Sequence, residues 1–330
     1  MTLEERWAQI AAGMENEELE EAKVRAMGID GHEEAFGEGE ALEADVDHLA
    51  DGQMGAAGPG AGTGGAPTGE AYTESVLETG GVIAEVSGYE PEVSTAHEEF
   101  EIVHGKDDRV RVFNTSIYPW RTICHLDITA ANGAKGGCSG AIIGPRTIAT
   151  AGHCVYMHDK GGWVKQVRVT PGKNGPGSTA ATEPYGGVTA TQFVSVKGWT
   201  QSKSSNYDYG VIILPPDKRL GNTTGWMGLA SLSFFSLLGL RVNNSGYPGD
   251  KAPYPTQWWN ANNILALADR RLYYQIDTYG GQSGSPVWRF KDDKRHIVGV
   301  HNTGGAPFNG AVRLAKPVFD NLVKWKNTYV

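Results

Sequence analysis

Beyond about Ile102, apolar residues occur in short runs rich in β-branched and aromatic side chains, separated by Gly, Asn and Pro. Examples are GAIIGPRTIATA, QVRVT, YGVIIL and HIVGVH. Short strands at such close spacing are typical of an antiparallel barrel or sandwich rather than a parallel α/β sheet. The pattern therefore predicts an all-β body for this part of the chain.

The end of the chain has a different period. The segment KPVFDNLVKWKNTYV places Val318, Leu322 and Trp325 at helical spacing after Pro317. Proline is favoured in the first turn of a helix, where its missing N–H costs nothing. We predict a C-terminal helix over about residues 317–328, packed on the β body.

The first hundred residues show little regular patterning. Residues 2 to about 27 combine a Thr2/Glu5 capping box with apolar positions at helical spacing, which predicts a helix. The following residues are acidic with little periodicity, and GPGAGTGGAPTG (58–69) has the composition of a flexible linker. We predict a partly helical and largely disordered segment over 1–101, without a large core.

The charge divides at the same boundary. Residues 1–101 hold 25 Asp and Glu against 3 Lys and Arg, a net charge of −22, whereas residues 102–330 carry +13. The Lys and Arg of the basic part are scattered singly, so nucleic acid is not an expected partner. The positive electrostatic field of residues 102–330 is more compatible with a site that binds acidic side chains. No stretch approaches 18 consecutive apolar residues, so no membrane partner is expected either.

Ser283 is the first candidate for chemistry, because GGQSGSPVW surrounds it with glycines. Such a stretch is either a tight turn or a nucleophile whose neighbouring backbone N–H groups must be free to hold an oxyanion. A serine nucleophile needs an imidazole to take its proton and an anion to orient that imidazole. ATAGHCVY supplies His153 and SNYDYGVIIL supplies Asp208. Each alone reads as an ordinary loop histidine or strand-cap aspartate, but their joint order of His, Asp and Ser is far more specific.

The stretches TAGHC, YDYGVIIL and GGQSGSP resemble the chymotrypsin-like serine endopeptidases, and more closely the bacterial glutamyl endopeptidases of that superfamily. Further similar stretches, including GPRTIATAGHC, SGYPGDK and KPVFDNLVKWKN, extend the resemblance over nearly all of 102–330. The resemblance implies two six-stranded antiparallel Greek-key barrels, over about 102–215 and 216–316, followed by the C-terminal helix.

The resemblance also implies the roles of individual residues. Ser283 is expected to be the nucleophile, His153 the general base and then acid, and Asp208 its orienting partner. The N–H groups of Gly281 and Ser283 are expected to form the oxyanion hole. Cys138 and Cys154 stand where the superfamily has a disulfide. A metal site made of Cys138, His153 and Cys154 would lack a fourth ligand, and Cys124 is expected to be a buried strand thiol.

Two residues disagree about substrate preference. Asp277 lies six positions before Ser283, where trypsin-like enzymes bind Lys or Arg. Against this, His301 in VGVHNTGG and Thr278 match residues with which glutamyl endopeptidases bind a carboxylate, since imidazole and hydroxyl groups donate hydrogen bonds. We expect cleavage after Glu, less readily after Asp, with Asp277 turned away from the ligand. Cleavage after Lys or Arg remains the alternative, as does an ordinary strand histidine at His301.

The sequence also suggests a precursor. Gln282 replaces the aspartate with which trypsin clamps a freed amino terminus, but Glu101 directly precedes Ile102, close to where mature glutamyl endopeptidases begin. We predict processing between Glu101 and Ile102, with the acidic segment either covering the basic catalytic part as an inhibitor or serving only as a solvated tail.

The remaining expectations concern partners and location. We expect a monomer that acts on polypeptides and needs no cofactor; the sequence does not reveal whether calcium stabilises it. The resemblance favours a secreted protein, although MTLEERWAQI lacks the usual signal pattern. The rival from another class is a protease-like binding protein with an idle site. An esterase is less compatible, because its serine precedes its histidine.

Overall fold

The structure is a computed structural model that describes residues 48–50, 103–305 and 308–330. The predicted helix over 2–27, the linker 58–69, the disorder of the acidic segment and the processing bond 101–102 lie outside the described residues.

The described residues form β-strands connected mainly by loops and short helical turns. The strands, numbered along the chain, are β1 (His48–Ala50), β2 (Val110–Arg111), β3 (Ile123–Thr129), β4 (Lys135–Ile142), β5 (Thr147–Thr150), β6 (Tyr156–Met157), β7 (Gly162–Trp163), β8 (Gln166–Pro171), β9 (Val188–Ala190), β10 (Gln192–Ser195), β11 (Gly210–Ile213), β12 (Gly228–Ser231), β13 (Arg241–Gly246), β14 (Trp258–Leu267), β15 (Arg271–Tyr274), β16 (Pro286–Lys291), β17 (Lys294–Thr303) and β18 (Asn309–Arg313).

The helical elements are short except for the last. The α-helices are α1 (Lys197–Thr200), α2 (Leu220–Thr224), α3 (Phe234–Leu237) and α4 (Lys316–Thr328), and the 3-10 turns are Trp120–Thr122, Gly152–Cys154, His158–Lys160 and Ser205–Tyr207.

The first barrel is an antiparallel sheet with the order β10-β11-β5-β4-β3-β8-β9. Only Thr191 separates β9 from β10, yet β9 pairs with β8 and β10 pairs with β11 at the opposite edge. Residues 188–195 therefore act as one bent strand that closes six strands into a barrel. The interior is lined by fully buried residues at alternate positions, such as Leu126 and Ile128 of β3.

The second barrel closes through the pairing of β17 with β18, which completes the ring β17-β16-β13-β14-β15-β18. The predicted all-β fold of two six-stranded barrels is confirmed. Two additions were not predicted from the sequence: β2, expected within the first barrel, pairs with β14 of the second, and β1 pairs with β12 at the outer edge of that sheet.

The predicted C-terminal helix is confirmed as α4, with proline in its first turn. Val318, Phe319, Leu322 and Trp325 form its buried face, and the ring of Trp325 lies 6.0 Å from that of Tyr209, next to β11. The helix thus covers the first barrel beside Tyr209, the residue between Asp208 and β11. None of the helices in the described part of the chain is long and apolar enough to cross a membrane.

Candidate active site

His153 and Asp208 come together because they flank two paired strands. Thr150, the last residue of β5, is the register partner of Gly210, the first residue of β11. The chain leaves β5 into the turn that carries His153 and enters β11 two residues after Asp208. Antiparallel pairing therefore brings the two residues to the same end of the first barrel.

Two hydrogen bonds fix their relative orientation. Nδ1 of His153 lies 2.7 Å from Oδ2 of Asp208, and the backbone N–H of His153 donates to Oδ1 of the same carboxylate at 2.7 Å. Asp208 is 3% exposed, whereas the His153 side chain retains 14% exposure. This geometry assigns the ring proton to Nδ1 and leaves Nε2 to act on a second group.

Ser283 belongs to the loop between β15 and β16 of the second barrel, and this loop packs against the first barrel. The N–H of Ser139 in β4 donates to the carbonyl of Ser283 at 2.9 Å. Gly284 has φ +84°, and a Cβ on it would collide with the Thr150 hydroxyl and the Ser139 carbonyl. The glycine therefore allows Ser283 to lie against β4 and the end of β5, just before the turn of His153.

The predicted disulfide between Cys138 and Cys154 is present and joins β4 to the histidine turn. The Sγ of Cys154 lies 3.7 Å from the carbonyl oxygen of Ser283. The residue after the histidine thus contacts the backbone of the serine, so the loop of Ser283 lies next to the turn of His153, whose ring contacts Asp208. Cys124 is a free, fully buried thiol, as predicted, and burial raises its pKa.

Several backbone donors of the loop around Ser283 are used within the loop or by β17. The N–H of Gln282 donates to Tyr279, that of Ser285 donates to Gln282, and that of Gly284 donates to the carbonyl of His301. Gly281 has φ +102°, and a Cβ there would meet the carbonyl oxygen of Tyr247 at 2.5 Å. The conformation of this loop therefore requires glycine at position 281.

The two residues expected to bind the substrate side chain lie beside this loop. His301 in β17 is fully buried, its N–H donates to Ser285, and its Nδ1 lies 2.8 Å from the hydroxyl of Tyr274. Thr278 is also fully buried, and its Oγ1 has no hydrogen-bond partner among the described residues. A buried hydroxyl without a partner loses its hydrogen bonds with water, so a ligand atom would compensate for that loss.

Asp277 has different partners from those that a substrate-binding carboxylate would have. It is 2% exposed, and its two oxygens accept the backbone N–H groups of His104 at 2.6 Å and Asp108 at 3.1 Å. Burial, and the hydrogen bond to Asp277, raise the pKa of the Asp108 carboxyl. Asp277 thus anchors the start of the catalytic part of the chain.

The sequence reasoning missed Asn302. Its side-chain N–H donates to Oδ2 of Asp208 at 3.2 Å and to the carbonyl of Ser205 at 3.0 Å, while Arg271 donates to its Oδ1 at 2.7 Å. The only signal in the sequence was its position directly after His301.

The possible metal ligands of the described residues do not suit a metal. Cys138, His153 and Cys154 place their ligand atoms within 4.8 Å of one another. The two sulfurs, however, form a disulfide, and His153 is hydrogen-bonded to Asp208. A disulfide offers no thiolate ligand.

Two antiparallel six-stranded barrels with His153, Asp208 and Ser283 between them define a serine endopeptidase of the chymotrypsin-like fold. The chain belongs to the trypsin family, whose model ("Trypsin") matches residues 110–325.

Individual relatives of this chain are also named as proteases. The chain is 42% identical over 234 residues to the glutamyl endopeptidase of Bacillus licheniformis, an alignment that covers 68% of this chain and 69% of that protein. It is 40% identical over 225 residues to a Bacillus subtilis protein named extracellular metalloprotease, with the same shares covered. A solved structure of a Glu endopeptidase in complex with MPD has a TM-score of 0.59 and 32% identity, and the match covers 68% of this chain and all of that one.

Proposed function

We propose that this serine endopeptidase cleaves peptide bonds after glutamate, with Ser283 as nucleophile, His153 as general base and acid, and Asp208 as the residue that orients His153. The observation that carries the catalytic part is the 2.7 Å contact between His153 Nδ1 and Asp208 Oδ2, next to the loop of Ser283. A carboxylate at Nδ1 selects the tautomer whose Nε2 accepts a proton and stabilises the imidazolium that forms.

The reaction then proceeds in two acyl transfers that need only the chain's own groups and water. Ser283 Oγ attacks the scissile carbonyl carbon while His153 Nε2 takes the hydroxyl proton. The tetrahedral intermediate collapses with loss of the amine, which receives that proton, and leaves an acyl-enzyme ester. Water, deprotonated by His153, attacks the ester, and the proton returns to Ser283 as the peptide acid leaves.

The N–H groups of Gly281 and Ser283 are proposed to bind the carbonyl oxygen as it gains negative charge. The neighbouring N–H groups of Gln282, Gly284 and Ser285 are already used within the loop and by β17. The positive φ of Gly281 sets the direction of its peptide. Donors fixed before the reaction stabilise a developing oxyanion without having to reorganise.

Glutamate preference rests on the chemistry beside the serine. Thr278 provides a buried hydroxyl without a partner in the described residues, and His301 provides a buried imidazole held by Tyr274. Both side chains donate to a carboxylate, and neither helps a lysine or arginine. The B. licheniformis relative is named for this specificity.

Cleavage after Lys or Arg is the second candidate, and it depends on Asp277. Both oxygens of Asp277 accept backbone N–H groups from residues 104 and 108, which supports a structural role for this carboxylate. Asp277→Asn separates the two readings, because the trypsin-like reading predicts loss of a basic preference and ours predicts that glutamate stays preferred.

Processing between Glu101 and Ile102 is proposed because the bond follows the residue type that the site would select. Residues 48–50 pair with β12 of the second barrel, which supports contact between the acidic segment and the catalytic part. We propose that this segment inhibits the enzyme until it is released. Addition of the separated segment 1–101 to the processed enzyme at low salt should then lower activity, and an unchanged rate would exclude inhibition.

We propose that the enzyme acts as a monomer outside the cell. The disulfide favours an oxidising compartment, and the B. subtilis relative is named extracellular. Recovery of the disulfide-bonded protein from the culture medium of its host tests the location.

Labelling with a fluorophosphonate tests the catalytic assignment, since the reagent reacts with an activated serine. We expect one adduct, at Ser283, and none in Ser283→Ala. A properly folded, processed protein that does not react would instead indicate a binding protein with an idle site.

A further inference from the structure

We infer that Arg109 is a positioning residue for the oxyanion loop, defined as residues 279–285. Its guanidinium restrains this loop through the side chain of Gln282. The inference rests on the proposed roles of Ser283 and Gly281, and it extends them to a group that does not touch substrate.

Arg109 is a buried cation that two carboxylates hold in place. It is 1% exposed and precedes β2, which is paired with the second barrel. Its Nε and Nη2 donate to Asp107 at 3.0 and 2.8 Å, and its Nη1 donates to Asp250 at 3.0 Å. Burial acts to lower the pKa of Arg109, but these two carboxylates outweigh it and raise the pKa, so the group stays charged.

The same guanidinium reaches the oxyanion loop. Nη1 of Arg109 lies 3.4 Å from Oε1 of Gln282, and both side chains are 1% exposed. That oxygen also accepts the N–H of Tyr279 at 3.1 Å, at the start of the loop. A guanidinium N–H directed at a buried amide oxygen favours the orientation of the Gln282 side chain that keeps Oε1 toward Arg109.

The other end of the Gln282 amide holds the far side of the loop. Its Nε2 donates to Oδ1 of Asn244 at 3.2 Å, and Asn244 donates to Ser285 Oγ at 2.7 Å and to the carbonyl of Pro286 at 3.0 Å. Gln282 lies between Gly281 and Ser283, the two proposed oxyanion donors. Restraining its side chain therefore restrains the peptide groups on both sides.

The positively charged group beside Gln282 is a side chain and not an amino terminus. Arg109 lies beyond the proposed processing bond, so it holds the loop without a newly freed amino group. Its neighbours His104 and Asp108 hold Asp277 through their backbone N–H groups. The segment 104–109 thus restrains Asp277, just before the oxyanion loop, and Gln282 within it.

The test compares Arg109→Met with Arg146→Met in the processed enzyme. Arg146 is a matched control, because it is also a largely buried arginine, and it donates to the carbonyl of Leu214 in the first barrel. We expect Arg109→Met to lower kcat roughly 10- to 100-fold with little change in KM, and to slow fluorophosphonate labelling by a similar factor. Guanidinium ion at low, non-denaturing concentration should partly restore kcat in Arg109→Met only.

Gln282 provides a second route if Arg109→Met does not fold. Gln282→Met leaves Arg109 with both aspartates and should show the same loss of kcat.

The kinetic and labelling results distinguish a failure of this inference from a failure of the proposed function. The inference is wrong if Arg109→Met and Gln282→Met lower only the melting temperature, as Arg146→Met is expected to, while kcat and the labelling rate hold. If the wild-type enzyme itself is not labelled at Ser283, the proposed function fails first and the inference falls with it.

Discussion

Asn302 donates a hydrogen bond to Oδ2 of Asp208 at 3.2 Å, the same oxygen that lies 2.7 Å from Nδ1 of His153. The amide of Asn302 is itself oriented by Arg271 and by the carbonyl of Ser205. The carboxylate that orients the histidine is thus oriented in turn by a strand of the second barrel. The two barrels meet through this network as well as through the loop of Ser283.

Asn302→Ala should therefore lower kcat about tenfold, because one buried hydrogen bond to a charged group is lost and Asp208 gains freedom. KM should change little. Asn302→Ser, which keeps a hydroxyl donor, should recover part of the loss. Steady-state kinetics of the three proteins checks this, and equal kcat values would show that Asn302 is only a packing residue.

Asp208→Asn should lower kcat by roughly four orders of magnitude, because an amide stabilises the wrong tautomer of His153. The fold should persist, since Asn has the same shape. The rate of fluorophosphonate labelling, measured beside the melting temperature, checks both statements. Full activity in Asp208→Asn would remove this residue from the mechanism.

Thr278→Val should reduce kcat/KM for a peptide cleaved after Glu about tenfold, because the variant keeps the shape but removes the hydroxyl. The loss should be smaller for the same peptide with Gln, and Thr278→Ser should retain the preference. Paired Glu and Gln peptides provide the measurement. A uniform loss on both peptides would indicate a structural hydroxyl.

Replacing both Cys138 and Cys154 by Ala should lower the free energy of unfolding by about 3 kcal/mol, the chain-entropy estimate for a loop of this length. The two cysteines are 16 positions apart. Urea denaturation of the double variant, with Cys124→Ala as the control that removes a free thiol, checks the value. Equal losses in both proteins would mean that packing dominates over the cross-link.

Stability should depend on acid through Glu183, a buried carboxylate that Arg168 contacts at 2.7 Å and Lys173 at 2.6 Å. Burial acts to raise its pKa, but hydrogen bonds from these two cations lower the pKa from 4.5 to about 2. The unfolded chain therefore takes up the proton first, and the stability that this pairing contributes above pH 4.5 is lost as the pH falls toward 2.

Glu183→Gln isolates this effect. The variant should be less stable at neutral pH, because both cations lose their partner, and its stability should fall less steeply between pH 4.5 and 2. Urea midpoints across that range provide the measurement. A parallel pH profile in both proteins would assign the acid sensitivity to other carboxylates.

The all-β body and the C-terminal helix were predictable from local pattern, and the two barrels from the resemblance of short stretches to the chymotrypsin-like serine endopeptidases. Short apolar runs mark strands such as β4, β8, β11 and β17, and His153, Asp208 and Ser283 each lie in a short recognisable stretch. The contacts that orient them were not predictable. Asn302 meets Asp208 across 94 positions and Arg109 meets Gln282 across 173. Such pairs arise only in the folded chain: the first joins the two barrels, and the second forms because β2 pairs with β14 of the second barrel.

The same reason explains the strands that the pattern did not reveal. β1 and β2 are two or three residues long, too short to show an alternating period, and each exists because a neighbouring strand offers an open edge. Asp277 was expected to turn away from the ligand, but its partners at residues 104 and 108 became visible only in the folded chain.

Cleavage of a peptide library by the purified, processed enzyme, with Ser283→Ala as control, tests the central claim most directly. The account predicts products that end in Glu, with few ending in Asp, and no cleavage by the variant. Products ending in Lys or Arg, or cleavage that survives in Ser283→Ala, would contradict it.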